Sequence, residues 1–92
     1  MNVRVQIAVL HKGKMVNQIL EREIRSGERL KDLFKGLDKS GLGDGRLFKD
    51  LLRAPAPPAV LVNGNRVDLP KGLKTRLEKN DEISVVSAFS GG

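Results

Sequence analysis

Ala59-Val60-Leu61-Val62-Asn63-Gly64-Asn65-Arg66-Val67 carries the sharpest local signal in the chain. Four apolar residues make a short strand suited to a buried sheet position. Asn63-Gly64 then supplies the two residues that most readily take positive φ, so the strand folds back in a tight hairpin. Arg66-Val67-Asp68-Leu69 leaves that turn, and Leu73 and Leu77 flank an irregular stretch after Pro70 and Gly72. Further on, Lys79-Asn80-Asp81 predicts another turn, and Glu82-Ile83-Ser84-Val85-Val86-Ser87 predicts a last strand. The sequence closes on Ala88-Phe89-Ser90-Gly91-Gly92.

Upstream, Val3, Val5, Ile7 and Val9 share one face of an extended segment, with Asn2, Arg4 and Gln6 opposite. Alternation of β-branched residues predicts a strand. His11-Lys12-Gly13-Lys14 reads as a turn with His11 as a solvated turn residue, and Met15 to Ile24 returns as a second strand. Val16, Leu20 and Ile24 keep one parity there; Ile19 breaks it. Ser26 is the expected cap of the next element. Leu30, Leu33, Phe34 and Leu37 stand at i, i+3, i+4 and i+7, the apolar stripe of a helix that packs on a sheet. Lys31, Asp32, Lys35 and Asp38 take its other side, and Gly36 costs it about 1 kcal/mol relative to alanine. Gly41, Gly43 and Gly45 form a connector. They lack the third glycine of a dinucleotide fingerprint and the Gly-Lys-Ser/Thr of a phosphate loop, and they follow a helix rather than a strand. Asp44 is the expected cap of a second short helix with Leu47, Phe48, Leu51 and Leu52 on its apolar side. Ala54-Pro55-Ala56-Pro57-Pro58 ends that helix and bridges to the hairpin.

The chain of 92 residues makes one small α+β domain, expected over 1–87, with a flexible tail over 88–92. It has no cysteine, so disulfides, thiolate metal sites and cysteine nucleophiles are excluded, and neither a metal nor a tightly bound cofactor is expected. Seventeen basic residues against eleven acidic give a net charge of +6, which favours acidic partners. The basic residues are scattered and interleaved with acidic ones, and Phe34, Phe48 and Phe89 are the whole aromatic stock. Both features argue against a nucleic-acid surface. The N-terminal segment alternates rather than forming a basic leader and an apolar block, and no apolar run approaches membrane-spanning length. A cytoplasmic protein without membrane partners is the expectation.

Gly91-Gly92 gives the sequence its chemistry. Glycine has no Cβ, so a di-glycine end can thread a narrow tunnel where any side chain would clash. A terminal carboxylate, titrating near about 3.5, is ionised at neutral pH and can attack the α-phosphate of ATP. The acyl-adenylate that results would accept sulfide, a thiol or an amine.

The order hairpin, helix, short helix, strand, short strand, last strand and tail resembles the ubiquitin-like β-grasp. That fold implies a mixed sheet of four to five strands, first and last side by side and parallel, under one main helix and a short second one. Val60 to Val67, the turn Leu77-Glu78-Lys79-Asn80-Asp81-Glu82-Ile83 and the Gly-Gly end are similar to the MoaD/ThiS family, which includes the small subunit of molybdopterin synthase and the thiamine sulfur carrier. The likeness is specific over Ala59 to Gly92 and architectural over Met1 to Arg53.

The resemblance implies a carrier rather than an enzyme. An E1-like enzyme adenylates the terminal glycine, here Gly92, consuming ATP; a sulfur donor converts it to a thiocarboxylate; and the sulfur passes to an acceptor. In the molybdopterin/tungstopterin-type pathways the carrier docks on a synthase large subunit. Gly91 keeps the tail thin, and Ser90 and Phe89 lie at the mouth of the partner's channel, with Phe89 as a docking anchor or as closure of the core end. Arg4, Arg66 and Lys74 are candidate contacts because they are basic and near the sheet half. The alternative implied by the same chemistry is a ubiquitin-like modifier, in which Gly92 acylates a lysine amine. A further alternative is a β-grasp binding module, for example for RNA, that never uses its tail.

Overall fold

The computed structural model describes residues 1–87. β1 (Asn2–His11) and β2 (Lys14–Glu23) form the N-terminal hairpin; α1 (Leu30–Lys39) and α2 (Leu47–Arg53) follow. β3 (Ala59–Val62), β4 (Asn65–Arg66), a 3-10 turn (Lys71–Lys74) and β5 (Glu82–Val86) complete the order. The five strands lie in the order β2-β1-β5-β3-β4. β1 and β5 pair in parallel, Val5 beside Ile83 and Ile7 beside Val85, and the other neighbours are antiparallel. This is the β-grasp arrangement expected from the sequence, with first and last strands at the centre.

Burial follows the alternation. Val3, Val5, Ile7 and Val9 of β1, Val60 of β3 and Ile83 and Val85 of β5 are almost fully buried. They pack beneath Leu30, Leu33, Phe34 and Leu37 of α1 and Leu47, Phe48 and Leu51 of α2. The i, i+3, i+4, i+7 stripe is therefore core, and each such side chain contributes about 1.5–3 kcal/mol by leaving water. Phe34 and Phe48 stack with ring centroids 4.5 Å apart, joining the two helices.

Three local expectations are corrected. The N-terminal turn is tighter than His11–Lys14: β1 runs through His11, and the loop is Lys12-Gly13 alone. Both residues have positive φ (53° and 77°), the geometry that matches the twist of a two-residue hairpin. Ser26 does not cap α1. The cap position is Arg29, whose amide donates to Asp32 Oδ2 at 3.0 Å, so the acid of the first turn does the work. Asp44 does not cap α2 either; it accepts from the Arg46 amide at 3.0 Å, before the helix starts. The α2 cap is Asp38, projected across from α1, whose two carboxylate oxygens accept the Phe48 and Lys49 amides at 3.0 Å each. A carboxylate there satisfies orphan donors and complements the positive end of the helix dipole.

Candidate functional site

The two sequence signals that decide the fold meet in space. Asn63 (φ 53°) and Gly64 (φ 82°) form the β3–β4 turn. The Asn63 side-chain amide donates to Asp81 Oδ1 at 2.8 Å, and its Oδ1 accepts the Glu82 amide at 2.9 Å. The second Asp81 oxygen accepts the Glu78 amide at 2.8 Å, and the Asp81 carbonyl accepts the Arg4 amide at 2.9 Å. Asp81 is buried, and each of its carboxylate oxygens has a hydrogen-bond donor. The node fixes where β5 starts and thus its register beside β1. At the far end, the Ser87 amide donates to the Ala8 carbonyl at 3.0 Å, and Ser87 Oγ accepts the Leu10 amide at 2.8 Å. The chain is thus held to the sheet up to its last described residue.

The helices cover one face of the sheet. On the other face the register aligns Leu10 with Met15, Gln6 with Ile19, and Ala8 with Val86 and, beyond it, Ala59. Leu10, Met15, Ile19 and Val86 are the exposed large hydrophobics among the described residues, at 49, 48, 63 and 37% exposure. All four lie on this face. They make a broken apolar patch: Leu10, Met15 and Val86 lie toward the end of the sheet where β5 stops, Ile19 lies nearer mid-sheet opposite Gln6, and Ala8 and Asn17 sit between them. Arg4 and Arg66 are exposed toward the other end of the same face, with Glu82 beside Arg4 and Leu61 beside Arg66. Lys74 does not join them; it sits in the 3-10 turn, whose Leu73 approaches the helices. Exposed hydrophobics gathered on one sheet face make this face a candidate docking surface.

Sequence reasoning singled out Ile19 only as a break in alternation. That break was the signal for this patch, because an apolar residue on the solvent parity has no core to enter. The reading of His11 is corrected. Its side chain is only 9% exposed, and Nε2 lies 3.0 Å from Asp50 Oδ2 of α2. That hydrogen bond, with Arg46 and Lys12 nearby, holds the Asp50 carboxyl below its ordinary range. Lys12 pairs with Asp44 and lowers its pKa likewise. His11, Asp44 and Asp50 could each offer a metal ligand within 4.8 Å of the others. Their charge is already matched by Lys12 and Arg46. Phe89, Ser90, Gly91 and Gly92, the predicted tail site, lie outside the described residues. Among the described residues, no helix is long and apolar enough to cross a membrane.

A family model described as the ThiS family matches residues 9–92. The chain belongs to the ThiS family. The match covers most of the chain and includes both signals joined at the Asn63–Asp81 node, and the family is the MoaD/ThiS group of ubiquitin-like sulfur carriers expected from the sequence. A search of curated proteins finds no match. Among solved structures, the ThiS-family chain is similar to SAMP1 from Haloferax volcanii, with TM-score 0.69 and 13% identity over 100% of both chains. It is similar to Urm1 from Trypanosoma brucei, with TM-score 0.66 and 19% identity over 99% of this chain and 95% of that one. Similarity also extends to a complex of subunits 1 and 2 of molybdopterin-converting factor from Helicobacter pylori, with TM-score 0.58 and 26% identity over 100% of both chains. The first two likenesses bear on the fold; the third also involves a protein whose partner is another subunit.

Proposed function

We propose that this protein is a sulfur carrier whose reactive group is the carboxylate of Gly92. An E1-like enzyme would bind the open sheet face and take the tail into its nucleotide site. The Gly92 carboxylate oxygen attacks the α-phosphorus of ATP, the bond to the β-phosphate oxygen breaks, and pyrophosphate leaves. Sulfide delivered by a sulfur donor then attacks the acyl carbon, AMP leaves, and a thiocarboxylate remains. The catalytic groups belong to the partners, and this chain presents the substrate. The observation that carries the reading is the ThiS-family match, which runs through Gly91-Gly92.

The pathway we favour is molybdopterin/tungstopterin-type cofactor biosynthesis in the cytoplasm, with a synthase large subunit as sulfur-delivery partner. It is supported by the 26% identity with a subunit of a molybdopterin-converting factor. In that role the apolar patch of Leu10, Met15, Ile19 and Val86 is the docking surface, Gly91 keeps the tail thin, and Phe89 and Ser90 line the entrance to the partner's channel. ATP is consumed by the activating partner, with no cofactor held by this chain.

The test is ATP–pyrophosphate exchange with an E1-like enzyme from the same cells. The chain ending at Gly92 should support exchange, and a variant with one alanine added after Gly92 should not. Equal exchange by the two would rule out attack by the Gly92 carboxylate. An activated Gly92 that is then found in amide linkage to lysines, with no thiocarboxylate, would assign the protein as a modifier instead.

A further inference from the structure

On the side of the molecule away from the open sheet, α1 and α2 border a groove of about 640 Å³. The edges of the stacked Phe34 and Phe48 form its floor, with Leu52 and Leu73 half-buried along it. Its walls are the side chains of Lys31, Lys35 and Lys39 from α1 and of Lys49 and Arg53 from α2. All five are exposed, and none is in an ion pair among the described residues. The one carboxylate that lines the groove, Asp38, is committed to the Phe48 and Lys49 amides. The groove therefore sets five cations against one engaged carboxylate around an apolar floor.

This arrangement is not what helix stability alone selects. Lys31, Lys35 and Lys39 stand at i, i+4 and i+8, one ridge of like charges, and like charges four apart weaken a helix. Lysine stems extend an apolar wall while their ammonium groups reach past it, so the ridge widens the greasy surface and crowns it with positive charge.

We propose that the groove docks an acidic amphipathic segment of a partner protein. Aliphatic side chains on one face of that segment would rest on Leu52 and Leu73, and carboxylates on its flanks would meet the lysine ridge and Arg53. A nucleic acid fits less well, because the Phe34 and Phe48 rings are almost fully buried against each other and offer no face for stacking a base. A second copy of this chain would bring the same lysine ridge against itself. The site is separate from the sheet patch, so a partner held there leaves that patch open. It does not depend on the chemistry of Gly92.

The experiment is a titration of the isotopically labelled full chain, followed by amide chemical shifts. The probe is a synthetic peptide with leucines at helical spacing and glutamates between them. Saturable shifts at Lys35, Lys49, Leu52 and Leu73, with the Leu10–Met15–Ile19 face unchanged, are the expected result. The double variant Lys35→Glu/Lys49→Glu should weaken binding at least about tenfold at an unchanged melting temperature, since both side chains are exposed. Replacing the peptide's leucines with serine should weaken it comparably. Equal binding by the serine peptide, or by an oligouridylate at the same ionic strength, would reduce the groove to non-specific charge attraction and overturn the proposal. So would shifts centred on the sheet face, or no saturable binding. The readout is binding rather than activation, so a negative result leaves the carrier reading standing.

Discussion

On the inner face of the sheet, Val3, Val5, Ile7 and Val9 meet Leu33, Phe34 and Leu37 and are all but excluded from water. On the outer face, reached by the alternate residues of the same hairpin, Leu10, Met15 and Ile19 stay exposed, joined by Val86 of β5. Both faces are apolar in part, yet among the described residues only the inner one has a helix layer to cover it. Burial on the inner face holds the fold together, whereas the outer face leaves its apolar area exposed, and in the proposed role another protein covers it. The two roles separate cleanly because side chains in a strand alternate with a period of two, and a residue on one parity cannot serve the other face.

Truncating the inner face should have the largest effect. Phe34→Ala removes a buried ring and its stack on Phe48 and should lower unfolding free energy by about 3–5 kcal/mol in urea denaturation. A change below about 1 kcal/mol would mean that the helix layer is not the core. Next in size is the joint that holds α2 over the sheet. Asp38→Ala should cost about 1–2 kcal/mol, because it strips the amides of Phe48 and Lys49 of their acceptors. Asp38→Asn should recover part of that loss, since an amide oxygen still caps.

The outer face should behave oppositely. Ile19→Asp should change stability by no more than about 1 kcal/mol. Affinity for the activating enzyme, measured by calorimetry, should fall at least about tenfold, because a charge would replace the most exposed apolar side chain of the proposed docking face. Unaltered affinity would remove this face from the docking surface. The smallest effect lies at the end of β1, where His11 holds Asp50. A carboxyl that binds its proton less tightly when folded contributes stability above its ordinary pKa of 3.8 and loses it as the pH falls below that value. Thermal melts should therefore show a shallow acid-side decline that Asp50→Asn flattens; the same decline in the variant would detach it from this contact.

Much of this organisation is legible in the sequence. The strand alternation, the Leu30–Leu37 stripe and the Asn63-Gly64 turn are local signals, and each corresponds to the element it predicts. What escaped depends on register and on contacts distant in sequence. Asp38 caps a helix that begins nine residues later, and a rule that looks for the nearest Ser or Asp selects Ser26 and Asp44 instead. His11 looks like a turn residue until α2 is brought against the end of β1. The outer patch exists only once β2 is paired with β1 and β5 with β1, since Leu10, Met15, Ile19 and Val86 are scattered along the chain. The proposed tail chemistry rests on Gly91-Gly92 and the family resemblance alone, whereas the outer sheet face proposed to meet a partner needed the sheet.

The most direct measurement is the intact mass of this protein purified from its native cells, with fragment sequencing of its C-terminal end. An oxygen-to-sulfur exchange confined to Gly92 is the expected result, and it would establish the thiocarboxylate. A Gly92 carboxylate that remains unmodified, even after incubation with its E1-like enzyme, ATP and a sulfide source, would contradict the carrier role.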